Sequence, residues 1–381
     1  MYRIAGLRFA ALLTFIASAL AAESTSQGSS PEARGVWLHL SDFSADPGKG
    51  RSEVHQIVER LANANFNLVM PWVLSEYAAA LTDTNYVAAA PTAAWDALGE
   101  LSREAARRGM RIHLWYSFTY YKSPKSPDFD PRRGGDPSWA ARSLADFQHH
   151  TNPMTDVCPS HPAARKWEVA LIESLLRRYT NISGIHIEEP GYGYPQNCLC
   201  DLCRSVFKDM HGEDLEKKIA ASSAEDFRCI GMTEFIRELR QRLSQMNPRP
   251  ILSVNGGSSW RSDRSLGRDW KRWAELGWLD FYASQNYSGE IAPFSAMTQM
   301  VLKDLSPHCP VFIGIGIKWS GGATALPVVL KQIADARSRH AGGILFFSAK
   351  SLTDEYLDAL REGPFGSRAD FPLTSVRDKK L

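Results

Sequence analysis

The sequence predicts an α/β fold, a single-domain (β/α)8 TIM barrel over residues 32–362 with long loops after strands three and four. Three observations predict it. Eight short β-rich runs alternate with segments of helical period. The last four runs recur about every 30 residues, the length of one βα unit. No GxGxxG follows the first run, which argues against a doubly wound dinucleotide fold.

The eight runs are Gly35–Leu40, Phe66–Trp72, Arg111–Ser117, Ile182–Glu188, Pro250–Asn255, Leu279–Gln285, Pro310–Gly316 and Gly343–Ser348. Between them lie apolar stripes at i, i+3, i+4 and i+7 spacing. Val54, Ile57, Val58 and Leu61 form the first, with Ser52 as the expected N-cap. Trp95, Leu98 and Leu101 precede a stop at Gly109, and Val169, Ile172, Leu175, Leu176 and Tyr179 follow. Phe235, Ile236, Leu239 and Leu243 form another stripe, then Trp270 and Trp273, then Val329, Leu330, Ile333 and Ala336, then Leu357 and Leu360. Lys122–Pro153 is rich in Pro, Gly, Asp and Ser and reads as one long loop. From Gly363 to Leu381 periodicity is lost, which predicts a C-terminal tail.

The N-terminus predicts export. Arg3 and Arg8 precede an apolar run, Phe9–Leu20, and Ala19-Leu20-Ala21 offers a small-x-small cleavage pattern, so residues 1–22 read as a secretory signal peptide. The alternative is a retained N-terminal anchor, for which the run is short. No later stretch is apolar enough to span a membrane, so the processed chain is expected to be periplasmic or secreted. A formal net charge of +2 gives no basis for binding nucleic acid. Eleven Trp and twelve Tyr suit both core packing and stacking on sugar rings.

A barrel carries its chemistry at the C-terminal ends of its strands. The residues there are His39 and Asp42 after strand one, Trp72 after strand two, and Trp115 and Tyr116 on strand three. Glu188 and Glu189 end strand four, Asn255 strand five, Gln285, Asn286 and Tyr287 strand six, Lys318 and Trp319 strand seven, and Lys350 strand eight. Carboxylates, amides and aromatics converging in this way suit a polyhydroxylated ligand. Alternation puts His186 and Glu188 on one face, expected to be the interior, with Ile185 and Ile187 outside. Glycoside cleavage needs two carboxyl groups, and adjacent carboxylates push one another's pKa upward. Glu188 and Glu189 are therefore the catalytic candidates, and the bland reading is a surface pair capping a loop. A partner acid from another strand is open among Asp42, Glu76, Asp280 and Glu290.

Cys198, Cys200 and Cys203 form C-x-C-x-x-C after strand four, and Cys158 lies upstream. Four thiolates suit a closed, structural zinc site; disulfides are the alternative in an oxidising compartment. Cys229 and Cys309 read as lone buried residues. Neither a G-x-S-x-G motif nor a P-loop is present, and no organic cofactor is implied.

Two resemblances follow. Arg34–Leu38, Gly184–Glu189, Leu279–Tyr287 and Gly343–Ser348 resemble the glycosyl hydrolase-like 10 family of exported barrels, over most of residues 32–360. That family more often shows Asp-Asp where Glu188 and Glu189 stand. Locally, Glu189 followed by Cys198–Cys203 and Phe207 resembles the segment after the acid/base of family 42 β-galactosidases. That likeness implies Glu189 as acid/base and Cys158 as fourth zinc ligand. Glu188 stands where that family has Asn, and Gly316–Trp319 holds no strand-seven Glu, so no nucleophile is carried over. The implied function is an exported glycoside hydrolase acting on a poly- or oligosaccharide. Glu189 is its expected acid/base and Glu188 its nucleophile or electrostatic partner. His186, Asn255, Asn286 and Tyr287 would bind hydroxyls, and Trp72, Trp115, Tyr116 and Trp319 would form a sugar platform. The rival is a non-catalytic carbohydrate-binding barrel; a metal-dependent deacetylase finds no supporting His/Asp spacing.

Overall fold

A computed structural model describes residues 31–73, 95–118, 137–151, 157–193 and 195–373. The expected signal peptide, Glu76 and residues 374–381 of the tail lie outside the described residues. The chain runs β1 (Ala33–His39), α1 (Pro47–Asn63), β2 (Leu68–Trp72), α2 (Ala97–Arg107), β3 (Arg111–Tyr116), α3 (Leu144–Gln148), α4 (Pro162–Arg178) and β4 (Gly184–Ile187). It continues through α5 (Asp201–His211), α6 (Leu215–Lys218), α7 (Ser222–Ser244), β5 (Ile251–Gly256), α8 (Trp260–Arg264), α9 (Trp270–Glu275) and β6 (Phe281–Gln285). Last come α10 (Ile291–Leu305), β7 (Val311–Gly316), a small hairpin of β8 (Lys318–Trp319) and β9 (Gly322–Ala323), α11 (Leu326–Ser338), β10 (Gly343–Phe347) and α12 (Asp354–Glu362).

Eight parallel strands close the barrel in the order β1-β10-β7-β6-β5-β4-β3-β2. All eight coincide with the predicted β-rich runs. The helix α1 begins earlier than its apolar stripe suggests. Its N-cap is Asp46, whose carboxylate accepts the Lys49 N–H at 2.7 Å, and not Ser52. Pro47 at the first helical position supplies a preset φ and no orphaned donor, so the helix starts there. The segment between β4 and β5 folds into three helices, α5 to α7.

Strand alternation divides the apolar residues into two cores. Val36, Leu38, Val69, Ile112, Leu114, Ile185, Ile187, Leu252, Val254, Ile313 and Ile315 face the helices. Trp37, Leu68, Met70, Trp115, Ile251, Phe281, Ala283, Phe312 and Leu345 fill the interior. Two fully buried histidines share that interior: His113 stacks on Phe281 at 5.8 Å between centroids and His186 at 6.0 Å. Burial drives both rings down to about 3, so each stays neutral near pH 7.

Residues 364–373 do not trail away from the barrel; they floor it. Arg34 Nη1 bonds the Ser367 carbonyl at 2.6 Å, and Asn67 Nδ2 bonds the Ala369 carbonyl at 3.0 Å. The Glu32 amide donates to the Asp370 carbonyl at 2.9 Å. Phe371 then closes the bottom, 5.8 Å from His113 and 6.0 Å from Phe312 between ring centroids. Burial works to raise the Glu32 carboxyl, but hydrogen bonds and charge from Arg337 and Arg34 overcome it and hold it below its usual range. Because Phe371 is partly buried, Phe371→Ala is expected to cost about 2 kcal/mol, below the range for a fully buried Phe. Urea unfolding checks this: the midpoint falls at an unchanged m-value.

Candidate active site

Glu188 follows β4 on the interior face, as alternation predicts. Its backbone N–H donates to the Tyr116 carbonyl at 2.7 Å, which extends the strand pairing by one residue. Its carboxylate Oε2 accepts from two donors, the Trp115 indole N–H and the Asn255 amide. Gln285 Nε2 approaches Oε1 at 3.4 Å. These donors come from β3, β5 and β6, so three separate strand ends position one half-buried side chain. Burial pushes the Glu188 carboxyl up to about 7. The Glu189 charge adds to the rise, and the Asn255 and Trp115 hydrogen bonds oppose it.

The strand breaks at Glu189, which sits in the left-handed region at φ 36°. Its N–H donates to Asn255 Oδ1 at 2.6 Å. Its carboxylate turns away to Arg268 Nη2 at 2.9 Å. Asn255 is thus an amide clamp on both glutamates, donating to one and accepting from the other. The hydroxyl-binding role expected of it competes with these bonds.

Aromatic rings line the opposite half of the mouth. His39 lies 5.0 Å from Trp115, 6.2 Å from Trp72 and 6.4 Å from Phe347 between centroids. Trp72 meets Trp115 edge-on at 4.6 Å, and Tyr287 stacks on Phe347 at 5.5 Å. Trp319, on the β8–β9 hairpin, approaches Tyr287 at 6.0 Å. This pair stands directly over Gly316, where an added Cβ would lie 2.7 Å from the Trp319 ring and 3.0 Å from Tyr287. One side of the mouth is therefore a ring-lined wall, and the other carries the carboxylates and amides.

Several sequence candidates lie elsewhere. Tyr116 is out of phase with Trp115 and points outward, donating its hydroxyl to Glu168 of α4. Asn286 is buried behind the strand end, with Nδ2 on Thr298 Oγ1 of α10 at 3.0 Å. His186 lies one layer below Glu188, its Nδ1 at 2.9 Å from Ser253 Oγ, in the packed interior. Lys350 is exposed and pairs with Asp42 at 2.9 Å, and Lys318 is exposed on β8. Asp280 precedes β6 and binds Arg249 and Arg240 at 2.8 and 3.0 Å, while Glu290 is the N-cap of α10. Two charged residues of the site were missed. Asp263 of α8 accepts from the Gly257 amide at 2.7 Å and from Trp270 at 2.8 Å. Arg268 follows α8 and touches Glu189. Both sit in the aperiodic β5–α9 connection, where no pattern aims a side chain. Gln285, expected at the end of strand six, does reach the site, and Phe347, absent from the sequence candidates, carries a usable signal because it falls in phase with the interior residues of its strand.

Away from the mouth, Cys158, Cys198, Cys200 and Cys203 are buried, and their sulfurs all lie within 4.8 Å of one another. All six cysteines are free thiols. A tetrahedral zinc with Zn–S bonds of about 2.3 Å would set its sulfurs about 3.8 Å apart, which this cluster fits. The Arg142 and Cys200 amides donate to Cys198 Sγ at 3.2 and 3.4 Å, as suits an anionic sulfur. Burial pushes the Cys198 thiol well above its usual range and the neighbouring sulfurs do the same to Cys203, so a cation is what would hold those two sulfurs as thiolates. The cluster sits in a satellite core with Tyr192, Leu199, Phe207, Leu215 and Phe227.

Among solved structures, the chain is similar to the PgaB (BpsB) glycoside hydrolase domain from Bordetella bronchiseptica. That likeness has a TM-score of 0.64 at 12% identity, over 87% of this chain and 98% of that one. It is similar to the catalytic domain of a β-amylase from Paenibacillus polymyxa, with a TM-score of 0.61 at 8% identity over 87% and 95%. It is also similar to α-L-fucosidase isoenzyme 2 from Paenibacillus thiaminolyticus, with a TM-score of 0.61 at 13% identity over 88% of this chain and 49% of that one. These likenesses show the fold. None of the curated proteins compared matches the chain. Among the described residues, no helix is long and apolar enough to cross a membrane. Residues 32–319 match the model of the family described as Glycosyl hydrolase-like 10, and this chain belongs to that family.

Proposed function

We propose that this chain is an exported glycoside hydrolase that cleaves a poly- or oligosaccharide with Glu188 as its general acid. One observation carries the reading: a half-buried carboxyl at the C-terminal mouth of the barrel, held by three inward donors, has its pKa raised to about 7. A general acid works best when its pKa lies near the operating pH. With Oε2 occupied by two donors that can only give hydrogen bonds, the transferable proton belongs on Oε1. There it can pass to a glycosidic oxygen. Glu189, ion-paired to Arg268, remains an anion next to the acid, and a water that adds to the oxocarbenium-like carbon completes the hydrolysis. This reading exchanges the roles expected from the sequence. Trp72, Trp319 and Tyr287 offer ring faces to the sugar, opposite the carboxyls. A structural zinc on the four cysteines is part of the same reading; when bound, it would tie Cys158 to the Cys198–Cys203 turn and brace the loop leaving Glu189. The basic and then apolar sequence pattern over residues 1–22 supports export, and membership of the Glycosyl hydrolase-like 10 family supports the reaction class.

Reducing-end release from a panel of bacterial exopolysaccharides and plant glycans tests the reaction. Glu188→Gln should lower kcat by about 10²–10⁴-fold, with the fold intact by circular dichroism. Wild type that binds glycan and releases nothing would move the assignment to a binding barrel. Because the acid must be protonated, activity is present below its pKa, and kcat/KM should fall as pH rises through about 7. A flat alkaline limb would remove Glu188 from that role.

Native mass spectrometry should find one zinc per chain. Chelation, or Cys203→Ser, should speed amide exchange in α5 to α7 while leaving the barrel strands protected. A metal-free protein with unchanged exchange would make the cluster four plain buried thiols.

A further inference from the structure

Two adjacent carboxyls at one strand end cannot both serve as proton carriers, so something must make them unequal. Within the mouth described above, Glu188 is held by the neutral donors Trp115, Asn255 and Gln285, whereas the Glu189 carboxylate meets a cation. Arg268 Nη2 lies 2.9 Å from Glu189 Oε2, and Nη1 lies 3.8 Å from Asp263 Oδ1. The guanidinium is mostly buried, at 12% side-chain exposure. Its position is built in from several sides. The Arg268 amide donates to the Asp263 carbonyl at 3.1 Å, and the Tyr192 amide donates to the Leu266 carbonyl at 2.8 Å. Arg228, itself buried, holds the Ser265 carbonyl at 2.9 Å. Gly191 lets the side chain pass: a Cβ there would lie 2.4 Å from Arg268 Cγ. Glu189 in turn is held in its left-handed conformation, with its N–H on Asn255. That conformation directs its carboxylate toward the guanidinium.

We infer that Arg268 is the positioning residue of this site: it pins Glu189 as an anion turned toward α8, so that Glu188 alone keeps a transferable proton. The inference rests on the acid role proposed for Glu188. The other titratable groups facing this pair are Asp263 on α8, Tyr282 on β6 and Tyr287 just after it. All three are acids that carry no positive charge, and burial raises each of them, so none replaces Arg268 as the counter-charge to Glu189.

The test reads Glu188 without substrate. Trp115 donates its indole N–H to that carboxyl, so the 15N-labelled Trp115 indole resonance, assigned by loss in Trp115→Phe, should titrate with it. Wild type should show a midpoint near pH 7. Arg268→Gln should move the midpoint up by about one pH unit or more, because an unbalanced Glu189 anion and the lost cation both favour the proton. Arg268→Lys should restore most of the wild-type value. Glu189→Gln, which removes the anion being held, should move the midpoint down, and it serves if Arg268→Gln does not fold. An unmoved midpoint in either folded variant overturns the inference and leaves Arg268 as a loop brace. Because the resonance is read in the free protein, this result is independent of whether the chain turns over any glycan.

Discussion

The side-chain amide of Asn255 is the interaction on which the mouth depends. It has one donating end and one accepting end, and both are used on consecutive residues of the neighbouring strand. Only one orientation of the amide satisfies a carboxylate at Nδ2 and a backbone N–H at Oδ1. That orientation fixes Glu188 inward and lets the chain turn at Glu189. Neither an aspartate nor an aliphatic side chain could do both. The strand pairing beneath it, His186 to Ser253, sets the height at which the amide meets the glutamates.

The interior below the site is neutral by construction. His113 and His186 are uncharged, and large rings occupy the remaining space. A carboxyl placed at the top of such a column has little solvent beneath it, and burial accordingly leads the upward shift of Glu188. Charge is admitted only at the rim and at the floor, where Arg268 and Asp263, or Glu32, Arg34 and Arg337, meet in compensating groups. The cysteine cluster is set apart in its own small core, so its chemistry is separated from the mouth by Tyr192, which lies 4.0 Å from Cys158 Sγ and sits three residues after Glu189.

Much of this was legible because strands alternate. His186 and Glu188 fall inward with Trp115 and Asn255 by counting in twos, and the eight runs place the mouth. The same counting excludes Tyr116, one step out of phase, keeps Gln285 and would have admitted Phe347. What the sequence could not convey lies where periodicity stops. Asn286 looks like a strand-end amide but folds back onto Thr298 of α10. Asp263 and Arg268 reach the site from an irregular connection, through backbone bonds that no side-chain pattern announces. Residues 364–373 lack any helical or strand period, yet their aromatic and carbonyl groups complete the barrel floor.

That floor has a consequence for the order of assembly. The first strand pairs early with β2, but Ala33 also pairs with Gly343, so its second edge is met only after nearly the whole ring has been laid down. The Glu32–Arg34–Asn67 cluster then waits for residues still further along the chain. A polypeptide in which residues 343–373 have not yet docked lacks both the closing edge and the plug. Its early strands must remain open until those residues are in place. Closure of this barrel is therefore a late, concerted event that joins residues more than 300 positions apart in the chain.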